Sequence, residues 1–355
     1  MTPRERVLTT LARRIPDRVP KTLSLCPSQL ERFRRETGCD DPVAHFGFEV
    51  RAVEPLPAHN PADFGRYLGS LPLGARVDEW GIAWLRGSDH HFERMIHPLR
   101  DAQTVQEILA YPFPNLAAAE RFVGFAEQVD RVHREGLAAV AHCTPVGGTV
   151  FWPAYKLRGM ETLMVDLVAE PLLAGTLLDV ITRISAALAA QLAAFDIDVL
   201  WLADDFGTQR ALMFRPEVWR AWFKERLRAV IAAARAKRPD LVVAFHSDGK
   251  IDEIVPDLIE IGVNVLNPLQ PEVMDPAAIK REFGQHLAFW GGVGTQTTMP
   301  FGSPEEVRRV VFDLIKTVGA GGGLLISPTH VVEPEVPWEN ILAFVEAVET
   351  HGVYR

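Results

Sequence analysis

From about residue 104 the chain alternates long amphipathic stretches with short apolar runs bounded by polar or glycine-rich ends. The runs are Gly136 to Ala141, Val199 to Ala203, Leu241 to Phe245, Val263 to Leu266, Leu287 to Trp290 and Gly323 to Ile326. Four to six consecutive apolar residues suit strands covered on both faces. Between them the periodicity predicts helices over Met160 to Leu167, Glu170 to Phe195, Pro216 to Ala236, Ile251 to Ile261, Asp275 to Phe283, Pro304 to Val318 and Trp338 to His351. Strands alternating with helices predict a parallel sheet with crossover connections. The helix starts are well marked: Ser303-Pro304-Glu305-Glu306 sets a serine cap, a proline in the first turn and two acids against the positive end of the helix dipole.

Residues 1 to 100 are less regular. A short basic helix ends near Arg14, Pro16 and Pro20 turn the chain into extended segments, and Pro and Gly punctuate it through Gly74. Arg18 to Leu25 reads as a first strand and Trp80 to Ile96 as a hairpin. A chain of 355 residues holds two average domains, or one (β/α)8 TIM barrel with an irregular N-terminal extension. No linker, repeat or low-complexity segment divides it, so the simpler account is one domain over 1–355, with 1–100 as elaboration and 104–355 as the regular barrel portion.

Composition narrows the classes. With 48% hydrophobic and 23% charged residues the chain reads as globular, not disordered. There is no run of about 18 uncharged apolar residues, and the N-terminus carries charges where a secretion signal needs an apolar core, so a cytoplasmic protein without a membrane partner is expected. Cys26, Cys39 and Cys143 are odd in number and far apart, which argues against a disulfide framework. A net charge of −9 without a basic cluster argues against nucleic acid.

In a barrel the residues just past each strand converge on one face, where catalytic groups collect. Those positions hold His142-Cys143-Thr144, Asp204-Asp205, His246-Ser247-Asp248-Gly249, Asn267-Pro268-Leu269-Gln270, Gly291 to Gln296 and Ser327 to His330. Polar residues also cap and turn strand ends for structural reasons, so any single one carries little weight. His246 and Asp248 lie two apart and point to the same side if the extended geometry persists, and His330 leaves the last strand. Two imidazoles and a carboxylate could hold a divalent metal such as zinc with a position open for substrate. Against this, His-x-Asp arises by chance, and His246 could simply bond a neighbouring backbone group.

Asp204 and Asp205 either share a pocket, where repulsion raises one pKa, or alternate, with one inward and the other capping a helix. The reading takes one functional member, Asp204 ahead of Asp205. His142 is as well explained by a structural role as by a site. Gly291-Gly292 and Gly321-Gly322-Gly323 fit tight turns better than a phosphate loop. His90 and His91 are too isolated to suggest a metal.

At these residues the chain resembles the uroporphyrinogen decarboxylase superfamily. ERVLTTLARRIPDRVP is similar to its N-terminal helix and first strand, and DEWGIAWLR to its DE(W/F)G segment. The segment from Asp204 precedes a long central helix, and HSDGKIDEIVPDLIEIGVNVLNPLQ, FWGGVGTQ and GGGLLISPTHVVEPEVPWENILAF resemble the C-terminal half almost continuously. True members of the decarboxylase branch carry an arginine-rich RQAGRY-like motif for porphyrin carboxylates. The matching PKTLSLCPSQLERFRRETG lacks it, which disfavours haem biosynthesis.

The corrinoid-linked methyltransferases of the superfamily hold zinc through His-x-Cys and a later Cys, and here those positions are His246, Asp248 and His330. The resemblance therefore implies a metal-dependent methyltransferase-like enzyme acting on a small methoxylated or hydroxylated substrate. A His2Asp site is less electron-rich than a thiolate site and favours polarising an oxygen over activating a thiol. Asp204 or Asp205 would supply a proton, while His142, Asn267, Gln270 and Gln296 bind and orient the substrate. Methyl transfer would require a corrinoid protein to dock over the mouth, and homodimerisation occurs in relatives. Two alternatives stay open: decarboxylation of a non-porphyrin carboxylate, and a small-molecule-binding barrel without catalysis.

Overall fold

The computed structural model describes residues 1–58, 60–86 and 93–354. Its strands are β1 (Val50–Val53), β2 (Arg76–Val77), β3 (Ala83–Arg86), β4 (Glu93–Ile96), β5 (Ala138–His142), β6 (Val199–Ala203), β7 (Val242–His246), β8 (Val265–Leu269), β9 (Ala288–Val293) and β10 (Leu324–Pro328). Seven of them form one parallel sheet in the order β1-β5-β6-β7-β8-β9-β10. Each is followed by a helix that covers the outer face. The eighth position is taken by the N-terminal extended segment, which runs parallel to β10 through the bridges Lys21↔Ile326 and Leu25↔Val332. The Lys21 backbone N–H donates to the Glu49 carboxylate at 2.6 Å, beside the start of β1, and this curls the sheet back on itself as a TIM-type barrel.

Two-residue alternation along each strand divides the apolar side chains between two cores. Outward residues such as Leu200, Leu202, Val243 and Phe245 join the large core under the helices. Inward residues such as Val50, Ala138, Val199, Val265 and Leu325 meet Val7 and Leu11 of the helix Pro3–Leu11, which stoppers the N-terminal end of the barrel. That helix opens with a capping box between Thr2 and Glu5. Arg6 on it is buried, reaching Asp17 at 2.6 Å and Glu49 at 2.7 Å. The Arg6 guanidinium holds the Asp17 carboxyl well below the usual carboxylate range.

The expected strands from β5 to β10 are present, β6 with the expected bounds and the others displaced by up to three residues at their ends, because backbone pairing and not hydrophobicity sets where a strand stops. The expected helix over Pro216 to Ala236 is continuous in space but carries a π-helical turn at Arg220–Lys224. The first hundred residues hold more structure than their punctuation suggests: helices Pro27–Thr37 and Pro42–Phe46, and β1, too short for a clear period. β2, β3 and β4 form a separate antiparallel sheet, so the hairpin expected over Trp80 to Ile96 is met by β3 and β4. The residues between those two strands, His90 and His91 among them, lie outside the described residues. Among the described helices, Pro171–Leu192 has the length and apolar composition to cross a membrane, but half of that window is buried against the barrel, as in a core helix.

Candidate active site

His246 is the last residue of β7, two beyond Ala244 and four beyond Val242, whose side chains face the barrel interior, so alternation turns the imidazole inward as well. Parallel pairing sets it beside Asn267 of β8. The Asn267 amide nitrogen donates to the Trp290 carbonyl at 3.0 Å, which fixes the amide oxygen 2.5 Å from His246 Nδ1. An amide oxygen only accepts, so Nδ1 carries the proton and Nε2 keeps its lone pair. Nε2 stands 3.8 Å from Asp248 Oδ1 and 3.7 Å from Asp205 Oδ1.

Asp248 reaches this point because two loops interlock. Its N–H donates to Asp205 Oδ1 at 2.8 Å, the Gly249 N–H to Gln270 Oε1 at 2.9 Å, and the Phe206 N–H to Ser247 Oγ at 3.0 Å. Gly207 and Gly249 touch backbone to backbone; a Cβ on Gly207 would stand 2.6 Å from the Gly249 carbonyl carbon. Gly249 also has φ +84°, so neither position accepts a side chain.

His330 comes from the far side, two residues beyond β10. Thr329 anchors that turn, its N–H donating to the Val293 carbonyl at 2.9 Å and its hydroxyl 3.0 Å from that of Thr295. His330 Nε2 lies 4.0 Å from Asp248 Oδ2. One donor atom each from His246, Asp248 and His330 fall within 4.8 Å of one another. Hydrogen bonds close at about 3 Å, whereas tetrahedral ligands with bonds of ~2.0 Å are ~3.3 Å apart. The separations of 3.8 and 4.0 Å from the two imidazoles to Asp248 are nearer the second figure than the first, and two imidazole nitrogens with a carboxylate oxygen suit zinc. These residues therefore fit a divalent metal, with Asn267 as the outer partner that orients His246.

The two adjacent aspartates have opposite surroundings. Asp204 is 1% exposed and accepts from the N–H groups of Thr149 (3.2 Å), Val150 (2.8 Å) and Trp152 (2.9 Å), capping the helix Phe151–Arg158. Burial pushes its carboxyl up to about 7, while the helix N–H groups pull the other way. Asp205 is half-buried and faces the imidazoles; burial raises its pKa, His246 opposes the rise and Asp248 adds to it. The geometry separates the pair: strand alternation sends Asp204 to a helix cap and Asp205 toward the cluster.

Of the other expected residues, Asn267 and His142 line the cavity beneath the cluster. The His142 ring stacks on Trp201 at 5.5 Å, and its desolvated position in the barrel pushes its pKa down to about 4. Gln270 does not face the cavity; it is buried and spends its oxygen on the Gly249 N–H. Gln296 is exposed, its backbone N–H donating to Glu272 at 3.1 Å. The Gly321–Gly323 turn lies at the opposite end of the barrel, where a Cβ on Gly322 would meet the Arg14 carbonyl at 2.4 Å. Strand-end reasoning missed Trp201 and Trp290, which stand inside the barrel mid-strand; the inward alternation of β6 and β9 was the signal for them. It also missed Lys156, whose ammonium donates to the Val146 carbonyl at 2.6 Å and lies 4.5 Å from the Trp152 ring. Burial lowers the Lys156 pKa to about 8.

The cavity has a volume of about 400 Å³ and opens at the C-terminal ends of the strands, where barrel enzymes place their chemistry. Over its whole length the fold resembles a methyltransferase from Methanosarcina mazei, with a TM-score of 0.66, 99% of each chain covered and 17% identity. That likeness is one of fold. A curated relative named uroporphyrinogen decarboxylase, from Coxiella burnetii, is 23% identical over 307 residues, covering 81% of this chain and 80% of the relative. Another of the same name, from Serratia proteamaculans, is 33% identical over 78 residues, 22% of each chain. The family model described as uroporphyrinogen decarboxylase (URO-D) matches residues 87–351, three quarters of the sequence. With that match spanning the strand ends that carry the His and Asp cluster, the chain belongs to the URO-D family.

Proposed function

We propose that this chain is a metal-dependent, methyltransferase-like enzyme that acts on a small methoxylated or hydroxylated substrate, a single-domain barrel working in the cytoplasm with a corrinoid protein as methyl acceptor. The observation that carries the reading is the convergence of His246, Asp248 and His330 from two separate strand ends, with donor atoms within 4.8 Å. A zinc ion bound there supplies Lewis-acid polarisation of a substrate oxygen. His246 offers Nε2 because Asn267 holds its Nδ1–H, and Asp248 is held by the Asp205 and Gly249 contacts. As the methyl–oxygen bond breaks, its electron pair stays on oxygen and the methyl group leaves to a nucleophile on the partner. Asp205, with its raised pKa and its position 3.7 Å from His246 Nε2, is the residue placed to protonate that oxygen. His142 and Asn267 line the space below and orient the ligand.

Decarboxylation, the activity named in the curated relatives, needs a cation to seat a carboxylate. Among the described residues on the cavity wall the only arginine or lysine is Arg51, and its guanidinium is engaged by Asp41 at 2.7 Å and Glu135 at 3.1 Å. The test is metal analysis of protein stripped with chelator and reloaded with zinc. One equivalent in the wild type and none in His246→Ala supports the reading; no stoichiometric zinc, or the same content in the variant, removes it.

A further inference from the structure

Below the metal-ligand cluster the cavity continues into the barrel, and its walls differ in kind from its mouth. The side walls are short and apolar, with Val50, Ala52, Val140 and Ala203 leaving the space open. Two indoles bound it. Trp201 and Trp290 meet edge to face at 5.0 Å and 82°, and the His142 ring lies nearly parallel to Trp201, at 20°. Thr22 and Ser24 of the first extended segment line the same cavity with hydroxyl-bearing side chains. The carboxylates of Asp205 and Asp248 stand at the mouth beside His246.

We infer that this cavity seats an uncharged, flat arm of the substrate, a single aryl ring or a cyclic ether of that size, against Trp201 and Trp290, and that it selects by rejecting charge. A carboxylate entering the cavity passes two carboxylates and then finds no uncommitted arginine or lysine among the described lining residues, leaving a buried charge unpaired. A quaternary ammonium would be attracted by the indole faces, but must sit close to the divalent ion that the cluster is proposed to hold. A neutral ring meets neither cost and gains the aromatic contacts. A volume of about 400 Å³ lies at the small end of ligand pockets, which run from about 300 to 1,000 Å³. The exclusion of cations rests on the metal reading; the exclusion of anions is a property of the metal-free cavity, because a divalent ion at the cluster would itself attract a carboxylate.

The test compares three probes that share a phenyl ring and differ in charge: anisole, benzoate and phenyltrimethylammonium. Dissociation constants are measured by ligand-observed NMR on zinc-loaded protein, on chelator-stripped protein and on Ala52→Leu, which narrows the cavity without touching the cluster. Anisole should bind at least about tenfold more tightly than phenyltrimethylammonium on zinc-loaded protein and than benzoate on chelator-stripped protein, and be displaced in Ala52→Leu. Trp201→Phe provides a second variant should Ala52→Leu fail to fold; it should weaken anisole severalfold. Benzoate binding as tightly as anisole on chelator-stripped protein, ammonium preferred on zinc-loaded protein, or anisole indifferent to the variant that folds would each overturn the inference. Anisole binding that survives chelation alongside an absent metal sinks the metal reading and leaves the neutral seat standing. Stoichiometric zinc with benzoate preferred on the chelator-stripped protein does the reverse.

Discussion

The two ends of the barrel are made from the same strands and serve opposite purposes. At the N-terminal end Ala138, Val199, Val265 and Leu325 close on Val7 and Leu11. A few residues further along, Ala52, His142, Ala203, His246 and Asn267 surround a cavity. The N-terminal end has a helix inserted into it as a stopper, whereas the C-terminal end is bounded by loops that hold one another and leave the centre free. Distance along the strand, more than residue type, separates what stabilises from what reacts.

Substitutions at the two ends should therefore fail in different currencies. The largest effect is expected from His246→Ala, which should lose stoichiometric zinc and weaken affinity by more than about a hundredfold while the metal-free protein keeps its unfolding midpoint; competition with a chromophoric chelator reads it. The neighbouring aspartates divide next. Asp204→Ala leaves the N–H groups of Val150 and Trp152 without their partner, while that of Thr149 keeps the Ala203 carbonyl at 2.6 Å; at about 1–3 kcal/mol for each buried group left unpaired, the loss should appear in denaturant unfolding. Asp205→Asn should unfold near the wild-type midpoint but lower turnover of a methoxylated substrate by about 10²–10⁴-fold. If Asp204→Ala is the catalytic loss and Asp205→Asn the unstable protein, the assignment of the pair is wrong.

Leu11→Ala removes a fully buried side chain from the stopper and should cost about 2–5 kcal/mol of stability, with zinc affinity unchanged; a parallel fall in affinity would show that the two ends are not independent. Asn267→Leu keeps the volume but frees His246 Nδ1, and should weaken zinc by about 10–100-fold, with about 1–3 kcal/mol lost in unfolding for the Trp290 carbonyl it leaves. The smallest effect is a pH dependence. The His142 ring titrates near ~6.5 in the unfolded chain and near 4 when folded. Between these values the unfolded chain binds a proton that the folded one refuses. Stability is thus complete above the unfolded value and declines as pH falls from ~6.5 toward 4. The ring is open to the cavity, which softens the effect. Thermal midpoints at pH 7 and pH 5 should converge more closely in His142→Phe than in the wild type.

Much of this was legible in the chain. Apolar runs such as Val199 to Ala203 mark buried strands because both faces are covered, and Ser303 and Asp275 mark helix starts because their side chains bond the first free N–H groups. His246, Asp248 and His330 could be named because strand ends converge in any barrel. The first hundred residues were less legible: β1 is four residues long, and the segment at Lys21 to Leu25 pairs with residues about three hundred positions later, Ile326 and Val332.

Sequence alone determined the alternation of strand and helix, and with it which residues stand at strand ends, since those follow from local periodicity and capping. Tertiary structure decided the rest. Whether Asp204 or Asp205 faces the cluster depends on the inward or outward phase of β6 and on the helix waiting at Phe151. That Gln270 braces a loop while Asn267 orients an imidazole depends on which backbone groups stand within 3 Å. A hydrogen bond or a metal ligand is a statement about distance, and distance between remote residues exists only once the barrel has closed.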